Sequence, residues 1–107
     1  MDQDIMIVSS NHIDGRPIKE YLGIVAGSIV KSRNAGSDIF ASLKSLVGGE
    51  LVGYSRLLQR ARDDAYGRMI EDAKSKGANA IIAFRFQTST ITKGASEVVA
   101  YGTAVKI

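Results

Sequence analysis

An α+β fold is predicted for this chain: a two-layer sandwich with one long and one short helix lying on an antiparallel four-stranded sheet, in the order β-β-α-α-β-β. Three stretches carry the prediction. At 74–83 a helix stops on Gly77, and the chain passes through Asn79 straight into the buried run Ala80-Ile81-Ile82-Ala83. From about Val52 to Lys76, Tyr54, Leu58, Ala61, Ala65 and Met69 recur at helical spacing. From Glu97 to Ile107, Val99, Tyr101, Thr103, Val105 and Ile107 alternate with Ala100, Gly102 and Ala104, the period of a strand with one large and one small face. At 107 residues the chain is of single-domain size, and residues 1–107 are read as one domain.

The elements follow in order. Ile5-Met6-Ile7-Val8 is a short β-branched run, and Asp14-Gly15 with Pro17, the only proline, makes a reversing segment behind it. An antiparallel hairpin is expected between that run and a long strand from about Ile18 to Lys31. Both faces of this strand are apolar through the middle, so cover is expected on both sides. Gly23 and Gly27 share a face, where missing side chains would admit a packed helix.

After a loop at Arg33-Asn34-Ala35-Gly36, Ser37 or Asp38 caps the short helix carrying Ile39, Phe40, Leu43, Leu46 and Val47, which Gly48-Gly49 stops. The long helix adds Leu57, Ile70 and Ala73 to its stripe. It presents Arg60, Asp64, Arg68, Asp72 and Lys76 on another side, a series that reads as a solvated face. Gly67 within it implies a close neighbour, because glycine there is up to about 1 kcal/mol worse than alanine. Ala80 to Thr88 form the third strand, with Ile82, Phe84 and Phe86 on one face and Ile81, Ala83, Arg85 and Gln87 on the other. Ser89 to Ala95 are read as a polar loop.

Composition excludes several function classes. The net charge of +3 comes from fourteen basic and eleven acidic residues that are interleaved, and the nearest basic cluster is only Lys31-Ser32-Arg33. With no tryptophan to stack bases, this argues against nucleic-acid binding, which draws on concentrated phosphate contacts. Without cysteine there is neither a disulfide nor a thiolate metal site. The acidic start and the short apolar run behind it do not make a signal peptide, and no run is long enough to span a bilayer. A cytoplasmic location is expected.

The residues offer little chemistry. His12 is the single histidine, and beside Asp14 it makes at most a weak mixed metal site; a polar turn residue is the plainer reading. Asp63-Asp64 and Glu71-Asp72 are adjacent on a helix, about 100° apart, so neither pair forms a dyad for proton transfer. No phosphate-binding loop and no Gly-x-Ser-x-Gly elbow occurs. No catalytic, cofactor-binding or metal-ligating residue is assigned, and no enzymatic activity is expected. The remaining candidates are Arg85, Glu97 and Tyr101 in the strands. Arg85 and Glu97 read either as an ion pair, within or between subunits, or as the lining of a pocket where subunits meet and an anion is held. The large face of the last strand has no cover in this arrangement, and exposed patches of that kind mark interfaces, so self-association is expected.

Read together, the segments 18–27, Asp38-Ile39-Phe40-Ala41 and Val47-Gly48-Gly49 resemble the YbjQ family of small, uncharacterised bacterial and archaeal proteins. Tyr54 with Leu58, Ala61 and Arg62, then Gly77-Ala78-Asn79-Ala80 and Gly102-Thr103-Ala104-Val105, complete the series. The resemblance implies a dodecin-subunit-like α/β unit assembling as a ring, a homopentamer, with the chain itself as partner; no cofactor is expected from the residues. The family also carries a heavy-metal-binding label, which implies metal or small-ligand binding as the alternative function.

Overall fold

The computed structural model describes residues 5–32, 50–92 and 95–107. Strands β1 (Met6–Ile7) and β2 (Glu20–Ser32) precede a long helix α1 (Glu50–Ser75), and strands β3 (Ala80–Thr92) and β4 (Ala95–Lys106) follow it. The short helix expected at 37–47 lies outside the described residues. The sheet order is β1-β3-β4-β2, with β4 antiparallel to both long neighbours and β1 parallel to β3. The fold is therefore α+β, with a mixed rather than a wholly antiparallel sheet.

The expected hairpin between the first two strands does not form. Residues 8–19 instead cross one face of the sheet, where Val8, Ile13 and Ile18 pack with Ile107 against the buried side chains of Ala80, Ile82 and Val105. Removing those aliphatic groups from water fixes the route, at roughly 25 cal/mol per Å² of apolar area. The Asp14-Gly15 reversal exists: the Arg16 N–H donates to the Ile13 carbonyl (3.1 Å), and Gly15 has φ +76°. It bends the crossing segment and leaves β1 and β2 on opposite edges of the sheet.

The other face receives α1. Ala61, Ala65, Met69 and Ala73 meet Val25, Ile29, Ile81, Val98, Ala100 and Ala104 in the main core. The small face of β4 thus lies under the helix, as its alternation demands. Approach is closest at Gly27. A Cβ built there would come within 3.0 Å of the Ala65 carbonyl oxygen, the Met69 nitrogen and Arg68 Cβ. Gly23 differs, although the pattern places it on the same face. Nothing lies within 4 Å of its added Cβ, and its φ of +104° marks the β-bulge between Tyr21 and Gly23, so conformation rather than contact selects glycine there. Gly67 has no close neighbour among the described residues, contrary to expectation.

The junction after α1 behaves as read. Gly77 has φ +80°, its N–H donates to the Lys74 carbonyl, and the Ala78 N–H reaches back to the Ala73 carbonyl, a Schellman pair that satisfies the last turn. Asn79 then ties the end of β4. Its side-chain amide donates to the Ile107 carbonyl (3.2 Å), and its side-chain oxygen accepts the Ile107 N–H (2.8 Å).

A second bulge, between Ile82 and Arg85, reorganises β3. Ala83 takes φ +56°, a left-handed conformation that costs a non-glycine residue about 1–2 kcal/mol. Its N–H is held by the Ser10 carbonyl (2.8 Å), and that of Phe84 by the Val8 carbonyl (3.1 Å). The extra residue flips the alternation. Ile82 stays on the face crossed by the N-terminal segment, whereas Phe84 joins Ile81 beside the helix, where it and Phe86 make edge-on and tilted ring contacts with Tyr66. Beyond the bulge, β3 and β4 continue into the segment expected as a polar loop, Ser89 to Ala95, as far as Thr92 and Ala95, with a further bulge between Thr90 and Thr92.

Candidate functional site

The face opposite α1 has two halves. One is roofed by residues 8–18, as described. On the other, the strand registers set Ala26, Tyr101 and Arg85 in one row, Ser28, Val99 and Gln87 in the next, and Val30, Glu97 and Ser89 in the last. Ile24 heads the same face and is 76% exposed; Val30 is 54% exposed. Val99 and Tyr101 are half-buried. Nothing among the described residues roofs this half-face, which holds the three candidate residues.

Arg85 and Tyr101 are direct cross-strand partners. Glu97 lies four residues from Tyr101 on β4, about 13 Å along the strand at 3.3 Å per residue. Arg85 and Glu97 therefore do not pair within one protomer. The guanidinium instead donates through Nη1 to the Ser9 carbonyl (2.9 Å) and to the Phe84 carbonyl (2.8 Å). That clasp fastens the N-terminal segment to the bulge and leaves the Nε–H and Nη2 donors without a partner among the described residues. A planar cation held in place, with donors to spare beside a phenol, suits an anion.

The β2 edge is guarded by two side chains that the charge pattern assigned to a solvated face. In β2 the even-numbered residues turn their backbone groups away from β4. Asp72 Oδ2 accepts the Ala26 N–H (3.2 Å), and Arg68 Nη1 donates to the Ser28 carbonyl (3.1 Å). Asp72 also accepts from Lys76 (2.9 Å). The hydrogen bond from Lys76 and then that from Ala26 hold the Asp72 carboxyl below the ordinary aspartate range. Only the spacing of Arg68 and Asp72 on the flank nearer β2 could have signalled this; without the packing angle of α1 it could not be read.

The remaining sites are poor. His12 Nε2 and Asp14 Oδ1 stand 3.9 Å apart, both exposed, at the rim of an open hollow lined by Val8, Ser10 and Ile13. Ser10 Oγ donates to the His12 carbonyl (2.7 Å) rather than to its ring, so no nucleophile–base pair forms there. Asp63, Asp64 and Glu71 line an open hollow on the outward side of α1 with Arg68, and Asp63 accepts from Gln59 (2.9 Å). No helix among the described residues is long and apolar enough to cross a membrane.

These features define a small α+β protein with one sheet face covered by a helix and the other half-roofed by its own N-terminal segment. Residues 5–107 match the YbjQ family, described as "Putative heavy-metal-binding". The chain belongs to this family, and its curated relatives carry the family name UPF0145. One from Halalkalibacterium halodurans is 52% identical over 103 residues, 96% of this chain and 97% of the relative. One from Clostridioides difficile is 50% identical over 101 residues, 94% of this chain and 90% of the relative. Among solved structures, a protein of unknown function assigned to the DUF74 family from Pediococcus pentosaceus shares the fold at a TM-score of 0.63 and 17% identity, covering 96% of this chain and 97% of that one.

The residues present do not fit a heavy-metal centre. Soft metals select thiolates or several imidazoles, and this sequence has no cysteine and one histidine. No group of three or more His, Cys, Asp or Glu side chains placed to hold a metal ion occurs among the described residues. His12 with Asp14 supplies two solvated donors where four converging ones are wanted.

Proposed function

We propose that this protein is a non-enzymatic, self-assembling cytoplasmic protein whose copies cover one another's open half-face, with any ligand held where subunits meet. The exposure of Ile24 and Val30 beside Val99 and Tyr101 carries the reading. A contiguous apolar patch on a two-layer fold is a typical interaction surface. Its apolar, uncharged centre, with Arg85 and Glu97 at the margins, matches the anatomy of interfaces, where charges are depleted from the core.

Resemblance to the family supplies the form of the assembly, a dodecin-like ring of five. Rings arise from head-to-tail contacts, in which one surface meets a different surface of the next copy. Arg85 would then lie at a seam with donors to spare, and an anion is the ligand class it would hold beside Tyr101. Absence of catalysis rests on the residues: the lone imidazole is exposed, and the nearby serine hydroxyl bonds to backbone.

Sedimentation equilibrium and native mass spectrometry at micromolar concentration test the reading. A multimer that Ile24→Asp reduces in mass is expected. A wild-type chain that stays monomeric would refute it.

A further inference from the structure

We infer that residues 8–18 form a strap that opens and closes as a unit, that Arg85 is its latch, and that an oxyanion bound to Arg85 holds the strap shut. The inference rests on the reading of Arg85 as an anion-binding group and adds the regulation of that site; it needs no second copy of the chain. The strap is tied to the sheet at its two ends. At one end the Val8 N–H donates to the Ile81 carbonyl (3.0 Å), and the carbonyls of Val8 and Ser10 accept from Phe84 and Ala83. At the other, the Lys19 N–H donates to the Lys106 carbonyl (2.8 Å). Between these ties the bond from Arg16 to Ile13 is internal to the strap, and the half-buried Ile13 and Ile18 supply the hold on the sheet. A segment held by a few bonds and one small apolar cluster belongs to the low-stability part of a fold, which opens locally first.

Closing the strap also builds the latch. The bond from Ala83 to Ser10 holds the left-handed residue of the bulge, and the bulge sets Arg85 on the face that the strap crosses. Without the extra residue, plain alternation from Ile82 would turn Arg85 toward α1. From its observed place Arg85 clasps the Ser9 and Phe84 carbonyls through Nη1. The Nε–H and the neighbouring Nη2–H lie on another edge of the guanidinium and have no partner among the described residues. That pair is the fork that grips two oxygens of one anion through parallel hydrogen bonds. The side chain is exposed and forms no ion pair among the described residues.

The two events are therefore coupled. With the strap closed, two carbonyls fix the plane of the guanidinium and leave its fork ready, so an anion loses less in ordering it. With the strap open, the Ser9 carbonyl is gone and the bulge has lost the acceptor that holds Ala83. An anion that prefers the clasped arginine must stabilise the closed strap by the same factor, because linkage is reciprocal. The ligand class is an anion presenting two oxygens in one plane, the chemistry that phosphates and carboxylates share. Its release loosens the roof over Ile82 and Val105.

Hydrogen exchange at single amides of the full chain, with inorganic phosphate or acetate replacing chloride at constant ionic strength, tests this. At about ten times its Kd, the anion is expected to raise protection at Val8, Ala83 and Phe84 together by about tenfold and to leave the α1 amides unchanged. A response to either anion supports the strap, and the one acting at lower concentration names the source. Ile13→Ala is expected to lower protection at all three amides at once while keeping the anion's factor, and Arg85→Gln to abolish that factor. The Arg85 Nε resonance reports occupancy directly. Binding there with the three amides unmoved would overturn the coupling and leave the anion reading standing. An Nε resonance that neither anion moves would overturn both. A rise in protection that Arg85→Gln retains would trace to bulk ions and overturn the latch.

Discussion

Replacing Gly27 by alanine tests the contact that sets the distance between the two layers. The added methyl would overlap three atoms of α1, two of them backbone atoms of Ala65 and Met69 that no rotamer change can move. Overpacking a filled site costs about 1–3 kcal/mol, and immovable neighbours place this substitution at about 3. Against that, alanine removes about 0.5–1 kcal/mol of glycine's entropic penalty within a strand. The balance is a loss of about 2 kcal/mol. For a domain near this size each kcal/mol shifts Tm by roughly 4–8 °C, so the variant should melt about 8–16 °C lower. Urea denaturation followed by circular dichroism gives the midpoint, and an unchanged slope confirms that only stability has altered. A Gly27→Ala protein with wild-type midpoint and Tm would show that the helix is not seated on the bare strand, and the whole placement of α1 would have to be revised.

Three further outcomes are expected. Gly67→Ala should stabilise by about 0.5–1 kcal/mol, since no other element among the described residues comes within 4 Å of the new methyl and a helix interior favours alanine; a loss of stability in the same urea assay would reveal a neighbour outside the described residues. Asp72 has a folded-state pKa below its unfolded value, so its contribution is present at neutral pH and lost as pH falls through the folded value, below the ordinary aspartate range. The Ala26 amide proton should shift with that titration in NMR, and Asp72→Asn should abolish the acid-induced shift; an Ala26 resonance indifferent to pH would disprove the edge cap. Elemental analysis should find no stoichiometric zinc or copper, with His12→Ala indistinguishable from wild type. A full equivalent that His12→Ala removes would reverse the judgement on the metal label.

Periodicity sufficed for much of the fold. The two-faced β4, the stripe on α1 and the glycine-asparagine junction each bury a pattern that only one local structure can bury. The third strand was read with the wrong faces because a single residue, Ala83, adopts a left-handed conformation that its own type disfavours; it is held there by the carbonyls of Ser10 and Val8, far away in sequence, which accept the N–H groups of Ala83 and Phe84. Of the candidate residues, Arg85 and Tyr101 prove to be partners, and Glu97 stands apart, since the register that separates them is a tertiary fact.

What the linear chain settled by itself was the class of the long helix and of the strands on either side of it, a side-chain inventory with no cysteine and one histidine, and membership of a family whose motifs run the length of the domain. Local propensity and side-chain inventory need no neighbour to act. The parallel pairing of β1, the half-roof over the second face, the guarded β2 edge and the clasp of Arg85 were decided only when the layers met. Each depends on which distant groups compete for the same backbone donors and the same apolar area.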